Sequence, residues 1–371
     1  MNFDFSDDQK LLKDQARKFL AEHSSAKAVR AVLDGEGVSY DAALWKRVAE
    51  MGWLGAAIPE AYGGLGLGKL ELCVLAEEMG RALAPIPFSA TLYFFAEAVL
   101  AAGSEAQKTQ LLGEIASGAL IGAAALSEGP GALSPGGVQA RFDGAALSGV
   151  KIPVADGDIA DWAIVLAREG QGLSLVVCDL RQPGVTRETL ETIDPTRGHA
   201  KVIFSNAKAE RLGPAGAGWE ILERVFDQAA VLIAFEQLGG ADACLEMAVA
   251  YAKERYAFSR PIGSFQAIKH KLADMYVYNE VARSNAYYGA WAISTNAPEL
   301  PLAAAAARVA GCEAYYFASK ENIQAHGGMG FTWEVDCHLF YRRAKLLAVQ
   351  AGAPRVWKEK LVRRLELQNA A

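Results

Sequence analysis

The sequence has neither a cysteine cluster nor an apolar run of membrane-spanning length, and both absences restrict what the protein can be. The cysteines show none of the spacings that bind metals, so we expect them to be reduced core residues of a cytosolic protein. No apolar run approaches the length needed to cross a bilayer. The first ten residues are acidic and lack the apolar core of a targeting signal. The sequence therefore predicts a soluble, cytoplasmic protein. The five cysteines are Cys73, Cys178, Cys244, Cys312 and Cys337.

A run of basic residues is also missing. Lys and Arg number 37 against 43 Asp and Glu, which gives a net charge of −6 with both signs spread along the chain. This pattern excludes broad electrostatic attraction to nucleic acid, so a phosphate-bearing ligand would have to meet a few local Lys or Arg side chains. A chain of 371 residues, of which 52% are hydrophobic, can build a large core divided into two or three domains.

The periodicity of the apolar residues changes twice along the chain. Ser6 to Gln9 form a helix-opening signal, and helical spacing then prevails to about residue 118. Short, often β-branched runs separated by Gly, Pro and Asp follow, and they predict a small antiparallel β-domain. The remainder is helical again. The predicted fold class is α+β, mostly α, with domains over residues 1–118, 119–216 and 217–371.

The same patterns predict individual elements. Helices are expected at 42–51, 70–83 and 89–102, and a packed glycine-rich loop at 52–68. Strands are expected at 119–126, 138–142, 162–167, 173–179 and 201–205. Breaks in the C-terminal helices are expected at 261, 327–330 and 352–354.

Residues 251–275 form the most informative stretch, which reads as a helix, a break and a second helix. Pro261 and Gly263 stop the first helix. The break brings Arg255, Phe258 and Gln266 near one another at a helix end. A guanidinium fork, an aromatic face and an amide suit a phosphate next to a planar group. The alternative is a surface helical hairpin with a solvated arginine.

The stretch resembles the signature of the acyl-CoA dehydrogenase family, in which an arginine is followed by Phe-Gly and then by a glutamine beyond the break. Those positions are held here by Arg255, Phe258, Ser259 and Gln266, with Ser259 where the family usually has glycine. A second family motif occupies 324–331 and includes Gln324, Gly327 and Gly328. The resemblance implies that both motifs reach across a subunit interface to the ADP half of a neighbour's FAD. It covers nearly the whole chain.

The resemblance also implies an architecture and a reaction. The architecture is an N-terminal helical domain, a middle β-domain and a C-terminal four-helix bundle, with the flavin ring between the last two. In the reaction a carboxylate removes the α-proton of an acyl-CoA while the β-hydrogen leaves as hydride to the flavin. The usual position of that carboxylate, in a turn late in the chain, is Ala351 here, and an alternative family position is Ala229. Alanine cannot accept a proton.

The β-domain departs from the family pattern too. Ser127 can replace the hydroxyl that begins the family's flavin loop, but the loop beyond it is altered. The family's Trp-Ile-Thr strand, which backs the flavin ring, is represented by residues 153–155. Pro153 cannot stack as an indole would, and Ala155 has no side-chain hydrogen bond to offer near flavin N5.

One acid remains as a candidate base. Glu236 lies two helical turns beyond Ala229, and a spacing of seven keeps nearly the same helix face. Its apolar neighbours predict a buried carboxylate, which would suit proton transfer. The alternative is that Glu236 pairs with a basic side chain and only stabilises the bundle.

Two hypotheses from different classes follow. The first is an active acyl-CoA dehydrogenase that uses FAD and a relocated base, Glu236, with an electron-transferring flavoprotein as the acceptor that the family implies. The second is a subunit without its own chemistry, which completes the FAD site of a partner chain. The pattern resembles heteromeric family members that oxidise CoA thioesters of steroid side chains. Oxygen chemistry on the same fold is a third possibility that no residue favours.

Overall fold

The computed structural model describes residues 5–35 and 39–370, and their contacts divide the chain into two compact units. One, here called the helical unit, comprises Met1–Val29, Lys69–Ala84 and Ala230–Ala371. The other, the sheet unit, comprises Arg30–Gly68 and Pro85–Ala229. The division into three domains along the chain stays a prediction.

Helices account for most of the described chain. In order they are α1 (Asp7–His23), α2 (Ala26–Leu33), α3 (Ala42–Glu50), α4 (Lys69–Arg81), α5 (Glu97–Ala102), α6 (Glu105–Ala116), α7 (Gly218–Glu254), α8 (Gln266–Ser294), α9 (Leu300–His326), α10 (Cys337–Val349) and α11 (Pro354–Ala370). None of the helices in the described ranges is both long and apolar enough to cross a membrane.

The strands form one large sheet and one small hairpin. They are β1 (Gly122–Ala125), β2 (Arg141–Phe142), β3 (Ala146–Ala155), β4 (Trp162–Glu169), β5 (Gly172–Asp179), β6 (Val185–Thr189), β7 (His199–Lys208), β8 (Glu210–Leu212), β9 (Tyr256–Ala257) and β10 (Arg260–Pro261). The large sheet runs β6-β7-β3-β2-β4-β5-β8, and β1 also pairs with β4. Most pairings are antiparallel, but β1 and β2 run parallel to β4. The predicted order of helices, strands and helices is confirmed.

Local sequence signals account for the element boundaries that were predicted well. Ser6 caps α1 in a reciprocal arrangement: its hydroxyl accepts from the Gln9 amide at 3.2 Å, and its own amide donates to the Gln9 side chain at 2.9 Å. The expected breaks separate α7 from α8, α9 from α10, and α10 from α11. The loop at 52–68 contains two short 3-10 turns. It is packed as expected over 53–58, but 59–67 are mostly exposed because the chain there runs along the surface, with Leu65 and Leu67 about half exposed.

Apolar periodicity did not predict three strands of the large sheet, the two short strands β9 and β10, or one helix type. In β3 the apolar alternation is interrupted by Gly149, Lys151 and Pro153, and β6 is a mostly exposed edge strand. The third, β8, has three residues. The helix expected at 89–102 begins as a fully buried π-helix over Ala90–Ala96. Apolar periodicity cannot distinguish a π-helix from an α-helix over two turns.

The backbones of α4 and α7 touch in the core of the helical unit. A Cβ atom on Gly80 would lie 1.9 Å from the carbonyl oxygen of Glu236, and a Cβ on Gly239 would lie 1.8 Å from that of Glu77. No side chain fits at either position. Beside this contact, the buried acids Glu77 and Glu78 are paired with basic side chains of α1 and α8. These pairs are Lys13–Glu77 at 2.7 Å, Arg17–Glu78 at 2.8 Å and Arg283–Glu77 at 3.5 Å.

We expect Gly80→Ala to destabilise the protein by about 1–3 kcal/mol, because the added methyl forces α4 away from α7. Urea unfolding should show a lower midpoint with an unchanged slope. Gly136→Ala is the matched control, since a Cβ there meets no atom within 4 Å and its backbone is not left-handed. The free energy of unfolding of this control should stay within about 0.5 kcal/mol of the wild-type value. Equal midpoints for the two variants would contradict the close contact.

Candidate functional site

The break after α7 is a two-residue hairpin whose geometry explains the family's glycine. Phe258 and Ser259 connect β9 to β10, with φ angles of 51° and 64°. Two left-handed residues in succession make the hairpin turn that matches strand twist, and glycine is the least strained residue there. Ser259 holds this conformation at a cost of roughly 1–2 kcal/mol. The substitution at Ser259 therefore leaves the backbone shape of the motif in place.

The hairpin presents its polar and aromatic side chains outward. Phe258 is 91% exposed and meets Phe265 edge to face, with ring centroids 6.2 Å apart. The guanidinium of Arg260 lies 4.0 Å from the centre of the Phe265 ring. Arg255 and Gln266 are both exposed. Phe265 precedes α8 and provides no side-chain cap, so the first amide groups of that helix remain open to an anion.

The second motif lies at the end of α9, beside the hairpin. His326 stacks on Tyr251 of α7 with ring centroids 4.1 Å apart, and Lys271 of α8 donates to Glu321 of α9 at 2.5 Å. These contacts hold the end of α9 against the end of α7 and the start of α8. The exposed Gln324 is therefore at the same end of the helical unit as Arg255.

The glycines of the second motif leave the backbone accessible. Gly327 has a φ of 60° and ends α9, and a Cβ on Gly327 or Gly328 would meet no atom within 4 Å. Open backbone, a guanidinium, exposed aromatic rings and uncapped amides fit a nucleotide diphosphate with its base. The two motifs, which are far apart in the sequence, thus meet at one end of the helical unit.

The sheet unit has a cleft of its own, formed by the loop from Ser127 to Val138. The loop runs alongside β3, where the Ile152 amide donates to the Ser127 carbonyl at 2.8 Å. The carboxylate of Glu128 accepts from the Gln139 and Ala140 amides at 2.7 and 3.0 Å. Both ends of the loop are therefore held by the same glutamate.

Lys151 of β3 supports the start of this loop, and this role was not predicted from the sequence. Its fully buried ammonium donates to Glu128 at 2.7 Å, to the Leu166 carbonyl at 2.6 Å and to the Leu126 carbonyl at 3.1 Å. Burial lowers the pKa of Lys151, although Glu128 opposes this change. Burial raises the pKa of Glu128, but the bonds from Lys151 and the backbone outweigh it, so the net pKa is below the usual value. The sequence did contain a signal for this role, because Lys151 stands between the apolar residues Val150 and Ile152.

The strand at 153–155 lies next to this loop. Val154 is buried on the core face of the sheet, whereas Pro153 and Ala155 lie on the opposite, more open face. Ala155 pairs directly with His199 of β7. The open face beside the loop therefore carries no hydroxyl at Ala155 but does carry an imidazole next to it.

Glu236 is fully buried on α7. Its carboxylate lies 3.6 Å from the guanidinium of Arg343 on α10, which is also buried and which points a second nitrogen at the Leu83 carbonyl at 3.5 Å. Burial lowers the pKa of the buried Arg308 guanidinium on α9, and Glu236 acts against that decrease. This geometry fits the structural alternative, a buried ion pair between helices. The assignment of Glu236 as the catalytic base stays a prediction.

The turn that carries the usual base position is well supported even though it holds Ala351. Ala351 has a φ of 60°, and its carbonyl accepts from the Trp357 indole at 3.0 Å. Arg308 donates to the Gln350 carbonyl at 2.8 Å and also to the Leu347 carbonyl. Burial lowers the pKa of Arg308. The other usual position, Ala229, is fully buried.

Metal chemistry finds no support among the described residues. No group of three His, Cys, Asp or Glu side chains in these ranges is arranged to hold a metal ion. The described thiols are all buried. Burial raises the pKa of Cys178 and of Cys337 to about 12, so these two thiols stay protonated at neutral pH.

Comparison with known proteins identifies two domains of one family in this chain. Residues 6–119 match the model of the acyl-CoA dehydrogenase N-terminal domain, and residues 216–366 match that of the C-terminal domain. Acyl-CoA dehydrogenase IpdE2 of Mycobacterium tuberculosis is 35% identical over 361 residues, which are 97% of this chain and 96% of that protein.

Solved structures give the same result. A variant of the Tcur3481–Tcur3483 steroid ACAD is 31% identical with a TM-score of 0.90, covering 98% of this chain and 99% of that one. The ChsE4–ChsE5 complex of Mycobacterium tuberculosis contains a chain that is 26% identical with a TM-score of 0.90, covering 99% of both. With matching domains at both ends and relatives aligned over nearly their full length, this chain belongs to the acyl-CoA dehydrogenase family.

Proposed function

We propose that this chain catalyses the FAD-dependent α,β-dehydrogenation of an acyl-CoA thioester. The observation that carries the proposal is the meeting of both nucleotide-binding motifs at one end of the helical unit, in a chain similar to dehydrogenases over its whole length. The reaction oxidises a CH–CH bond of the acyl group. When bound, FAD accepts the hydride.

The residues at the end of the helical unit would hold the ADP half of FAD. Arg255 offers a fork of donors to a pyrophosphate, Phe258 and Gln266 flank it, and the open amides at the start of α8 favour an anion. Gln324 adds an amide, and the bare backbone of Gly327 and Gly328 permits close approach. In the sheet unit the Ser127 hydroxyl would serve the flavin side.

The family resemblance implies that the two motifs act on FAD held by a neighbouring chain, so we include an oligomer in the proposal. A dimer or tetramer, homomeric or heteromeric, would be built on the C-terminal helices. The ChsE4–ChsE5 complex is a precedent for a heteromer among similar structures. An electron-transferring flavoprotein is the proposed electron acceptor, and the cytoplasm is the proposed location.

The proposed substrate class is taken from one of the similar structures whose name gives its substrate chemistry. A steroid ACAD is 31% identical to this chain over nearly its full length, so a CoA thioester of a steroid side chain is the proposed substrate ahead of a simple fatty acyl-CoA. The alternative of a non-catalytic subunit is not favoured, because IpdE2, an acyl-CoA dehydrogenase, is similar over nearly its entire length.

The purified protein, with any partner chain it requires, should be yellow and should reduce an artificial electron acceptor when given an acyl-CoA. Absorbance near the flavin bands and acceptor bleaching measure the two properties. A protein that is colourless alone, and that contributes no turnover beyond that of its partner when the two are combined, would support the non-catalytic alternative.

Arg255→Ala should weaken flavin retention roughly ten- to a hundredfold, because it removes a charge-assisted fork on the order of 1.5–3 kcal/mol. The flavin-to-protein absorbance ratio after gel filtration measures this. Arg224→Ala is the charge-matched control, since Arg224 is an exposed arginine of α7 that pairs with Glu220. Equal ratios for the two variants would mean that Arg255 does not bind the cofactor.

Glu236→Gln tests the proposed base, because it keeps the shape of the side chain but removes the proton acceptor. If Glu236 is the base, flavin binding survives while reduction of the flavin by acyl-CoA slows by roughly two to four orders of magnitude. Glu78→Gln is the matched control, because Glu78 is equally buried and paired with Arg17. Both variants should lower the unfolding midpoint. Equal reduction rates would assign Glu236 a structural role, and the base would then come from the partner chain.

A further inference from the structure

His199 occupies a position next to the flavin-backing strand that the proposed function does not use. It begins β7 and pairs with Ala155 of β3, so both side chains lie on the open face of the sheet. The adjacent pair, Val154 and Ala200, points to the opposite face of the sheet, and both residues are fully buried. Directly opposed residues of an antiparallel pair have Cβ atoms about 4.5–5.5 Å apart, so the imidazole can cover the space above Ala155.

The backbone that carries His199 is firmly held. Preceding it, Arg197 is buried and donates to the Ser89 hydroxyl at 2.8 Å. The Asp156 amide donates to the Gly198 carbonyl at 2.7 Å, and a Cβ on Gly198 would lie 2.5 Å from a carboxylate oxygen of Asp158. The Leu190 amide donates to the His199 carbonyl at 2.8 Å. The imidazole of His199 is therefore attached to a firmly held backbone.

One contact determines the tautomer of the ring. Nδ1 of His199 lies 3.1 Å from the Arg197 carbonyl oxygen, and a carbonyl can only accept, so Nδ1 carries the hydrogen. Burial lowers the pKa of His199, with Arg197 acting in the same direction, and this outweighs the opposing effects of the Arg197 carbonyl, Asp158 and Asp194. The ring is neutral at pH 7. Its Nε2 is then a hydrogen-bond acceptor and not a donor.

We propose that His199 supplies the polar contact to the flavin ring that Ala155 cannot make, with Nε2 as an acceptor. This inference rests on the proposed function, because it requires a flavin against this face of the sheet. An acceptor distinguishes the two redox forms of the ring: N5 of an oxidised flavin is itself an acceptor, whereas N5 of a reduced flavin carries a hydrogen. His199 therefore stabilises the reduced form. A hydroxyl-bearing residue in place of Ala155 could instead bond to N5 in both redox forms.

His199→Ala tests the inference through the midpoint potential of the bound flavin, measured by equilibration with a redox dye in the absence of acyl-CoA. Loss of one hydrogen bond from the reduced form should lower the equilibrium constant for reduction about fivefold, which makes the potential roughly 20 mV more negative for a two-electron couple. His199→Gln retains an acceptor oxygen and should stay near the wild-type potential. Because a hydroxyl at position 155 can bond to both redox forms, Ala155→Thr in the His199→Ala background should leave the potential near that of His199→Ala.

Control variants separate this contact from a general structural effect. His23→Ala removes another histidine, at the end of α1, and should leave the potential unchanged. If His199→Ala does not fold, His199→Leu fills similar space without an acceptor and gives the same test. A flavin-loaded His199→Ala or His199→Leu protein with the wild-type potential overturns this inference alone. A wild-type protein that binds no flavin, even with a partner chain, overturns the proposed function.

Discussion

The contact between the α4 and α7 backbones at Gly80 and Gly239 constrains the rest of the helical unit. Because the two helices touch without intervening side chains, the acids on either side of the contact are drawn into the core. Glu77 and Glu78 meet basic side chains of α1 and α8, and Glu236 meets Arg343 of α10. Buried carboxylates are tolerated only with such partners. The three glutamates beside this helix crossing are buried, and each is paired because an unpaired buried carboxylate would be costly.

The fold was largely predictable because its main features are local. Apolar periodicity, the cap at Ser6 and the helix breaks each depend on residues a few positions apart, and the structure has them where the sequence indicated. Unpredicted features depend on distant residues or on finer geometry. The parallel pairing of β1 with β4, the support of Glu128 by Lys151 and the pairing of Glu236 with Arg343 join segments whose proximity no spacing rule provides.

The residues of the two motifs could be named from the sequence, but their arrangement could not. The family resemblance identified both motifs, and the contacts of Tyr251 with His326 and of Lys271 with Glu321 bring them to one end of the helical unit. His199 was missed because its importance comes from its neighbour across the sheet. Pro153 and Ala155 in the sheet unit and Ala351 in the helical unit stand where the family resemblance implies larger or more reactive residues.

The turn around Ala351 is supported independently of the side chain that it carries. Its left-handed backbone and its bonds from Arg308 and Trp357 are intact although its side chain has no reactive group. The resemblance implies a carboxylate at this position in the family, so the side chain differs here while the backbone support beneath it is intact. A single substitution at this position would therefore place a carboxylate on an already supported turn, whereas a collapsed turn would need several coordinated changes.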